Sequence, residues 1–145
     1  MYKFKTAIGA DHAGYELKEK VKEYLKELGG EVIDFGTHDT SSCDYPVIAK
    51  QVARNVAEKQ SDSGIIVCGS GLGVAIAANK IKGIRAVTCH DELCTKMSRS
   101  HNDANVLCLG ARIIDENTAR ALVKIWLETE FEGGRHQLRV DMIDE

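Results

Sequence analysis

Short apolar runs alternate with longer amphipathic stretches along this chain. Gly64-Ile65-Ile66-Val67-Cys68 is the clearest of the runs. Near-continuous apolar character of that length suits a parallel strand buried on both faces. The runs predict strands over Lys5–Gly9, Glu31–Phe35, Ser63–Cys68, Arg85–Cys89 and Val106–Leu109. Between them, Tyr15–Leu28 repeats Leu17, Val21, Tyr24, Leu25 and Leu28 at helical spacing, and Gly29-Gly30 is placed to stop it. Pro46 suits the first turn of a second helix running to about Lys59. Leu72–Ile81 is small and apolar, as a helix pressed on a sheet should be. Glu92–Ser100 and Glu116–Phe131 complete the series, the latter behind Asp115 as N-cap.

Strand and helix in strict alternation predict an α/β fold, a parallel sheet with helices on both faces. One domain spans residues 1–145, with no linker, internal repeat or low-complexity segment. Such sheets bind ligands beyond the carboxyl ends of their strands. That rule singles out Gly9–Gly14, Gly36–Pro46, Cys68–Gly73, His90-Asp91 and Gly110–Arg112.

Composition narrows the classes. Hydrophobic residues make up 43% and charged residues 28% of the 145, an ordinary globular balance. No apolar run approaches a membrane span, so no membrane partner is expected. A net charge of −3 leaves no general basic footprint for nucleic acid. Arg135, His136 and Arg139 nonetheless cluster near an otherwise acidic tail, where they could form a local anion site. The cysteines number five, an odd count, and Met1-Tyr2-Lys3-Phe4-Lys5 has no signal-peptide layout. A reducing cytoplasm is expected, not a disulfide framework.

Candidate chemistry concentrates in Cys68-Gly69-Ser70-Gly71-Leu72-Gly73, between the buried strand and a helix. Glycines allow close approach to the backbone, and amides at a helix start favour negative charge. A thiol in that field can work as a thiolate. Thiol, hydroxyl and amides together could remove a proton and hold an oxyanion; a plain tight turn with a buried Cys is the alternative. The glycines do not make a dinucleotide fingerprint, because Val74 stands where the third glycine is needed and the motif follows the third strand. Gly9–Gly14 has the outer spacing of a P-loop but continues Tyr15-Glu16 instead of Lys and Ser/Thr.

Asp11 could cap a helix, whereas His12 beside it could hydrogen-bond a phosphate or hydroxyl. Ser100-His101-Asn102-Asp103-Ala104-Asn105 is either a polar turn or the seat of an acid/base imidazole at His101. Tyr45 offers a hydroxyl in a loop at the same sheet end. Cys89-His90-Asp91-Glu92-Leu93-Cys94 lacks the second ligand pair that a structural zinc site needs, so no metal is expected there.

Taken in order, several of these segments resemble the ribose-5-phosphate isomerase B family, which also includes galactose-6-phosphate isomerase subunits. The matching segments are Gly9–Gly14, Asp44-Tyr45-Pro46, Cys68-Gly69-Ser70-Gly71 with Ala77-Ala78-Asn79-Lys80, His101–Asn105, Gly110-Ala111-Arg112, and Arg135 with Arg139. The resemblance covers essentially the whole chain. It implies a Rossmann-like αβα sandwich with a five-stranded parallel sheet, and an isomerase without metal or other cofactor. It implies Cys68 as the base between C1 and C2 of an opened sugar, assisted by Ser70. Some members use a Glu further along this loop, where this chain has Val74-Ala75. Amides of Gly69, Gly71 and Gly73 would hold the enediolate, and Asp11 would move protons between sugar oxygens. His101 would open the furanose, with Tyr45 and Asn102 on hydroxyls. His12, Arg112, Arg135 and Arg139 would hold the phosphate. The site would lie between subunits of a homodimer or a dimer of dimers, with the C-terminal tail packed on the partner.

Isomerisation of ribose 5-phosphate to ribulose 5-phosphate is the expected reaction. The alternatives are a six-carbon sugar phosphate (allose or galactose 6-phosphate) as substrate, a non-catalytic phosphosugar-binding domain, and a thiol hydrolase using Cys68 and His101.

Overall fold

The structure, a computed structural model, describes residues 3–145. Met1 and Tyr2, part of the segment inspected for a signal layout, lie outside the described residues. The chain runs β1 (Lys5–Ala10), α1 (Tyr15–Glu27), β2 (Glu31–Asp34), α2 (Tyr45–Ala57), β3 (Ser63–Cys68), α3 (Leu72–Ala78), β4 (Ala86–Thr88), α4 (Glu92–Ser100), β5 (Val106–Gly110), α5 (Glu116–Glu128) and α6 (Arg135–Ile143). The five strands form one sheet in the order β2-β1-β3-β5-β4, and every pairing is parallel.

Both faces of the sheet are covered, as continuous apolar strands require. On one face Val52, Ala53 and Val56 of α2 and Val74, Ala77 and Ala78 of α3 pack with Ile66 and Cys108. On the other, Leu17, Val21 and Leu25 of α1 and Leu122, Val123 and Trp126 of α5 pack with Ile8, Ile65 and Leu107. Trp126 finds a partner for its indole N–H in Ser63 Oγ at 3.3 Å, which satisfies a polar group that burial would otherwise strand.

All five strands and five helices expected from the pattern are present; several end sooner, while β1 and β5 each run one residue further. Strand β4 covers Ala86–Thr88, α3 stops at Ala78 and α5 stops at Glu128. The sixth helix has no counterpart in the periodicity, because its outward side carries Leu138, Met142 and Ile143, all more than half exposed. An apolar face without a covering element in its own chain does not read as amphipathic against the core. Asp115 is an N-cap, its side chain accepting from Thr118 N at 2.8 Å. Asp11 instead closes the turn ahead of α1, accepting from Gly14 N at 2.9 Å, while Gly14 holds the cap position. Tyr45 is the first residue of α2, with Pro46 in the first turn.

Buried charge stiffens one end of this frame. Lys18 of α1 has a side chain with no exposure. It donates to both carboxylate oxygens of Asp34 at 2.9 and 2.8 Å and to Thr37 O at 2.7 Å. Burial pushes the Asp34 carboxyl up, but hydrogen bonds from Lys18, Lys22 and Gly36 outweigh it and hold the group below the usual carboxylate range. The segment after β2 is thereby tied to α1 beside the end of β1.

Candidate active site

Strand β3 ends at Cys68 in the middle of the sheet, and the chain turns sharply into α3. Gly71 makes that turn with φ +76°, the left-handed region that glycine enters without penalty. The turn brings the Gly71 N–H to Cys68 Sγ at 3.1 Å, and the Leu72 N–H to Ser70 Oγ at 3.2 Å. An amide aimed at sulfur suits a sulfur that carries negative charge. Thr88 Oγ1 donates to Gly71 O at 2.7 Å, and Gly110 N donates to His90 Nε2 at 3.1 Å. Both bonds brace the loop from the β4–β5 side.

Cys68 opens onto a cleft of about 450 Å³ beyond the carboxyl ends of β1, β3 and β5. Asp11, His12, Tyr45, Gly69, Ser70, Gly73 and Arg112 line it as well. They come from the segments after β1, β3 and β5 and from the start of α2, which is where open α/β sheets place ligands. Tyr45 lies over the start of α3: a Cβ on Gly73 would stand 2.7 Å from its ring, so the glycine makes room for it. Arg112 lies across the loop, its Nη1 3.2 Å from where a Cβ on Gly69 would be. His12 accepts from Cys43 N through Nδ1 at 3.3 Å. That bond leaves Nε2 to carry the ring proton, as a phosphate donor needs.

The cysteines are chemically unequal. Burial pushes the Cys108 thiol far up, with Cys68 and Cys89 adding to the shift. Burial also raises Cys89, and the Asp91 carboxylate raises Cys94 through their hydrogen bond. These three favour the protonated thiol. The Cys89–Cys94 segment is occupied structurally: Asp91 caps α4 by accepting from Cys94 N at 2.7 Å.

Besides Gly71, whose N–H bonds Cys68 Sγ, four of the expected residues do not line this cleft. His101 is the C-cap of α4, and Asn102 follows it in an exposed turn. Asp103, at φ +45°, completes that turn. Arg85 secures it through bonds to Asn102 O at 3.0 Å and Asp103 O at 2.9 Å. Arg135 and Arg139 are exposed on α6. The two groups meet where the His101 and His136 rings stack, centroids 4.3 Å apart. Arg85 also reaches Asp144 at 2.7 Å, which fastens the end of α6 to the same turn. Within one chain the candidate residues therefore form two clusters, one around Cys68 and one around His101.

Sequence patterns did not pick out the His101–His136 stack, the His90–Gly110 bond or the Lys18–Asp34 pair. Each joins residues far apart in the chain, and no local spacing signals such a contact. The proximity of His136 to Arg135 and Arg139 was visible only as local basic character.

Comparison with known proteins gives one answer throughout. Residues 6–143 match the family described as Ribose/Galactose Isomerase. The ribose-5-phosphate isomerase B of Escherichia coli is 48% identical over 139 residues, 96% of this chain and 93% of that protein. The solved ribose-5-phosphate isomerase B of Clostridium thermocellum superposes with a TM-score of 0.95 at 50% identity, covering 97% of this chain and 95% of that one. A ribose-5-phosphate isomerase B from Mycoplasma genitalium, solved with bound ribulose-5-phosphate, gives 0.93 at 39% identity, covering 99% and 95%. The match in sequence and fold runs from end to end, and the chain belongs to the ribose/galactose isomerase family.

Proposed function

We propose that this protein interconverts ribose 5-phosphate and ribulose 5-phosphate, with Cys68 as the base. The observation that carries the reading is the Gly71 N–H directed at Cys68 Sγ in a cleft that also holds Asp11, His12, Tyr45 and Arg112. The proton beside a carbonyl is weakly acidic, so a base and oxyanion stabilisation must act together. Cys68 takes the proton from C2 of the opened aldose, the charge passes to the C1 oxygen as an enediolate, and the proton returns at C1. Asp11 moves protons between the two oxygens. Loop amides around Gly69, Gly71 and Gly73 stabilise the enediolate, with Ser70 beside the sulfur. Tyr45 binds a hydroxyl, and His12 with Arg112 holds the phosphate.

The second cluster completes the site from another copy of this chain. Leu72 and Ile76, four apart on α3, are 57% and 64% exposed. Together with Leu138, Met142 and Ile143 on α6 they leave apolar surface that one chain does not cover. A partner packed there supplies His101 to open the furanose, Asn102 to bind a hydroxyl, and Arg135 and Arg139 to hold phosphate. Five unpaired cysteines fit a cytoplasmic protein.

A four-carbon relative, the D-erythrulose-4-phosphate isomerase of Pectobacterium atrosepticum, is 39% identical over 138 residues. Sugar length is therefore compared directly, with four-, five- and six-carbon phosphates as competing substrates. The deciding experiment is turnover of ribose 5-phosphate in deuterated water. Deuterium appears at C1 of ribulose 5-phosphate with the native protein. Binding without exchange or turnover on any of these phosphates would overturn the reading.

A further inference from the structure

We propose that His136 is a positioning residue for His101, holding that imidazole in the orientation in which it exchanges protons with the sugar. The inference rests on the assignment of His101 to ring opening. The two rings lie nearly parallel, with 11° between their planes and 4.3 Å between centroids. His101 is the C-cap of α4, where its backbone N–H donates to Met97 O at 2.9 Å. Nothing in that backbone arrangement selects one rotamer of its side chain. The stacked His136 ring does. His136 is itself anchored: it is 9% exposed, and its backbone N–H donates to Gly133 O at 3.0 Å.

The charges around His136 favour a neutral ring. Burial is the first cause that lowers its pKa, and His101, Arg135 and Arg139 add to it, against an opposing pull from Glu132. The groups facing it are thus His101 from α4, Glu132 from the segment before α6, and Arg135 and Arg139 from α6. Glu132 Oε1 lies 3.6 Å from His136 Nε2. A neutral ring can stack on His101 in either of its protonation states, whereas a charged one would repel the imidazolium.

The same three side chains have the composition of a metal site, with ligand atoms of His101, Glu132 and His136 within 4.8 Å of one another. The stack argues against that use. An imidazole binds a metal through a ring nitrogen lone pair, in the plane of the ring. Two rings stacked nearly parallel cannot both direct lone pairs at one ion without turning.

The test uses full-length H136A and H136F beside H101N, each first shown to be folded by circular dichroism and thermal melting. H136A should lower kcat on ribose 5-phosphate about ten-fold, as misplacing a proton-transfer group does. Its KM, its inhibition by inorganic phosphate, and solvent exchange at C1 of ribulose 5-phosphate should stay within about two-fold of native. H136F keeps an aromatic face and should recover kcat to within about two-fold. As pH falls below the usual imidazole range, the native protein should lose aldose turnover as His136 charges, while H136F retains it. Native kcat in H136A, or a folded H136F as slow as H136A, would overturn the proposal. Weakened phosphate inhibition in H136A would also overturn it, by placing His136 among the phosphate ligands. A selective aldose defect in H101N without one in H136A defeats the positioning role alone. An undiminished aldose reaction in H101N defeats the ring-opening assignment and the proposal with it.

Discussion

The backbone N–H of Gly71 donates to the sulfur of Cys68 across 3.1 Å. The bond exists because Gly71 turns through φ +76°, and because nothing larger than hydrogen fits there: a Cβ would meet Thr88 Cγ2 at 2.9 Å and the Leu109 carbonyl carbon at 3.0 Å. Position 71 thus couples the turn to the Cys68 sulfur.

Cys68→Ala should lower turnover by about a hundred-fold or more. Sugar-phosphate binding, read by isothermal calorimetry, should be largely unchanged. Gly71→Ala should lose turnover as well and cost about 1–3 kcal/mol of stability through backbone strain. A G71A protein with native melting and native kcat would contradict the role given to this turn.

The proposed sharing of the site within a dimer makes a counting prediction. C68A and H101N should each be nearly inactive on ribose 5-phosphate. Unfolded together in equal amounts and refolded, they should recover about a quarter of native activity, because half the dimers are mixed and each mixed dimer holds one intact site. If Cys68 and His101 served the same site from one chain, the mixture would remain as inactive as its parents.

Arg135 and Arg139 lie four residues apart on α6, so both can face one anion. Their planar guanidinium forks suit phosphate oxygens. Replacing either with Ala should raise KM for ribose 5-phosphate and weaken inhibition by inorganic phosphate, with much less effect on free ribose. Equal losses on ribose and its phosphate would argue against that role.

Lys18→Met should cost about 3–5 kcal/mol in urea unfolding, because it leaves the Asp34 carboxylate mostly buried with one cation fewer. The pH dependence follows from the depressed Asp34 pKa. The native state binds this proton less readily than the unfolded chain, so the stabilisation is present above the unfolded value of about 3.9 and is lost as pH falls through the native one. Native protein should therefore lose stability steeply below about pH 4, and D34N should lose less over the same range. Parallel acid-unfolding curves for the two would refute this.

Much of the architecture was legible locally. Ile65, Ile66 and Val67 are fully buried in the central strand that their run predicted, because continuous apolar character has one economical solution in a covered parallel sheet. Asp115 and Pro46 marked helix starts through the backbone groups they satisfy or lack. The placement of Cys68, Asp11, His12 and Arg112 at one sheet edge was also readable, since turns after buried strands carry polar groups to the carboxyl ends of the sheet. What the chain order could not supply was proximity. Only the strand order β2-β1-β3-β5-β4 carries Arg112 across to Gly69 and His90 to Gly110. Lys18 reads as one more charged helix residue until Asp34 closes over it. Helix α6 hides its character because its apolar side faces away from its own core. His101 parts from Cys68 and joins His136 for the same reason: periodicity reports which face of an element is buried, while contacts between elements distant in sequence are set by packing that no local pattern encodes.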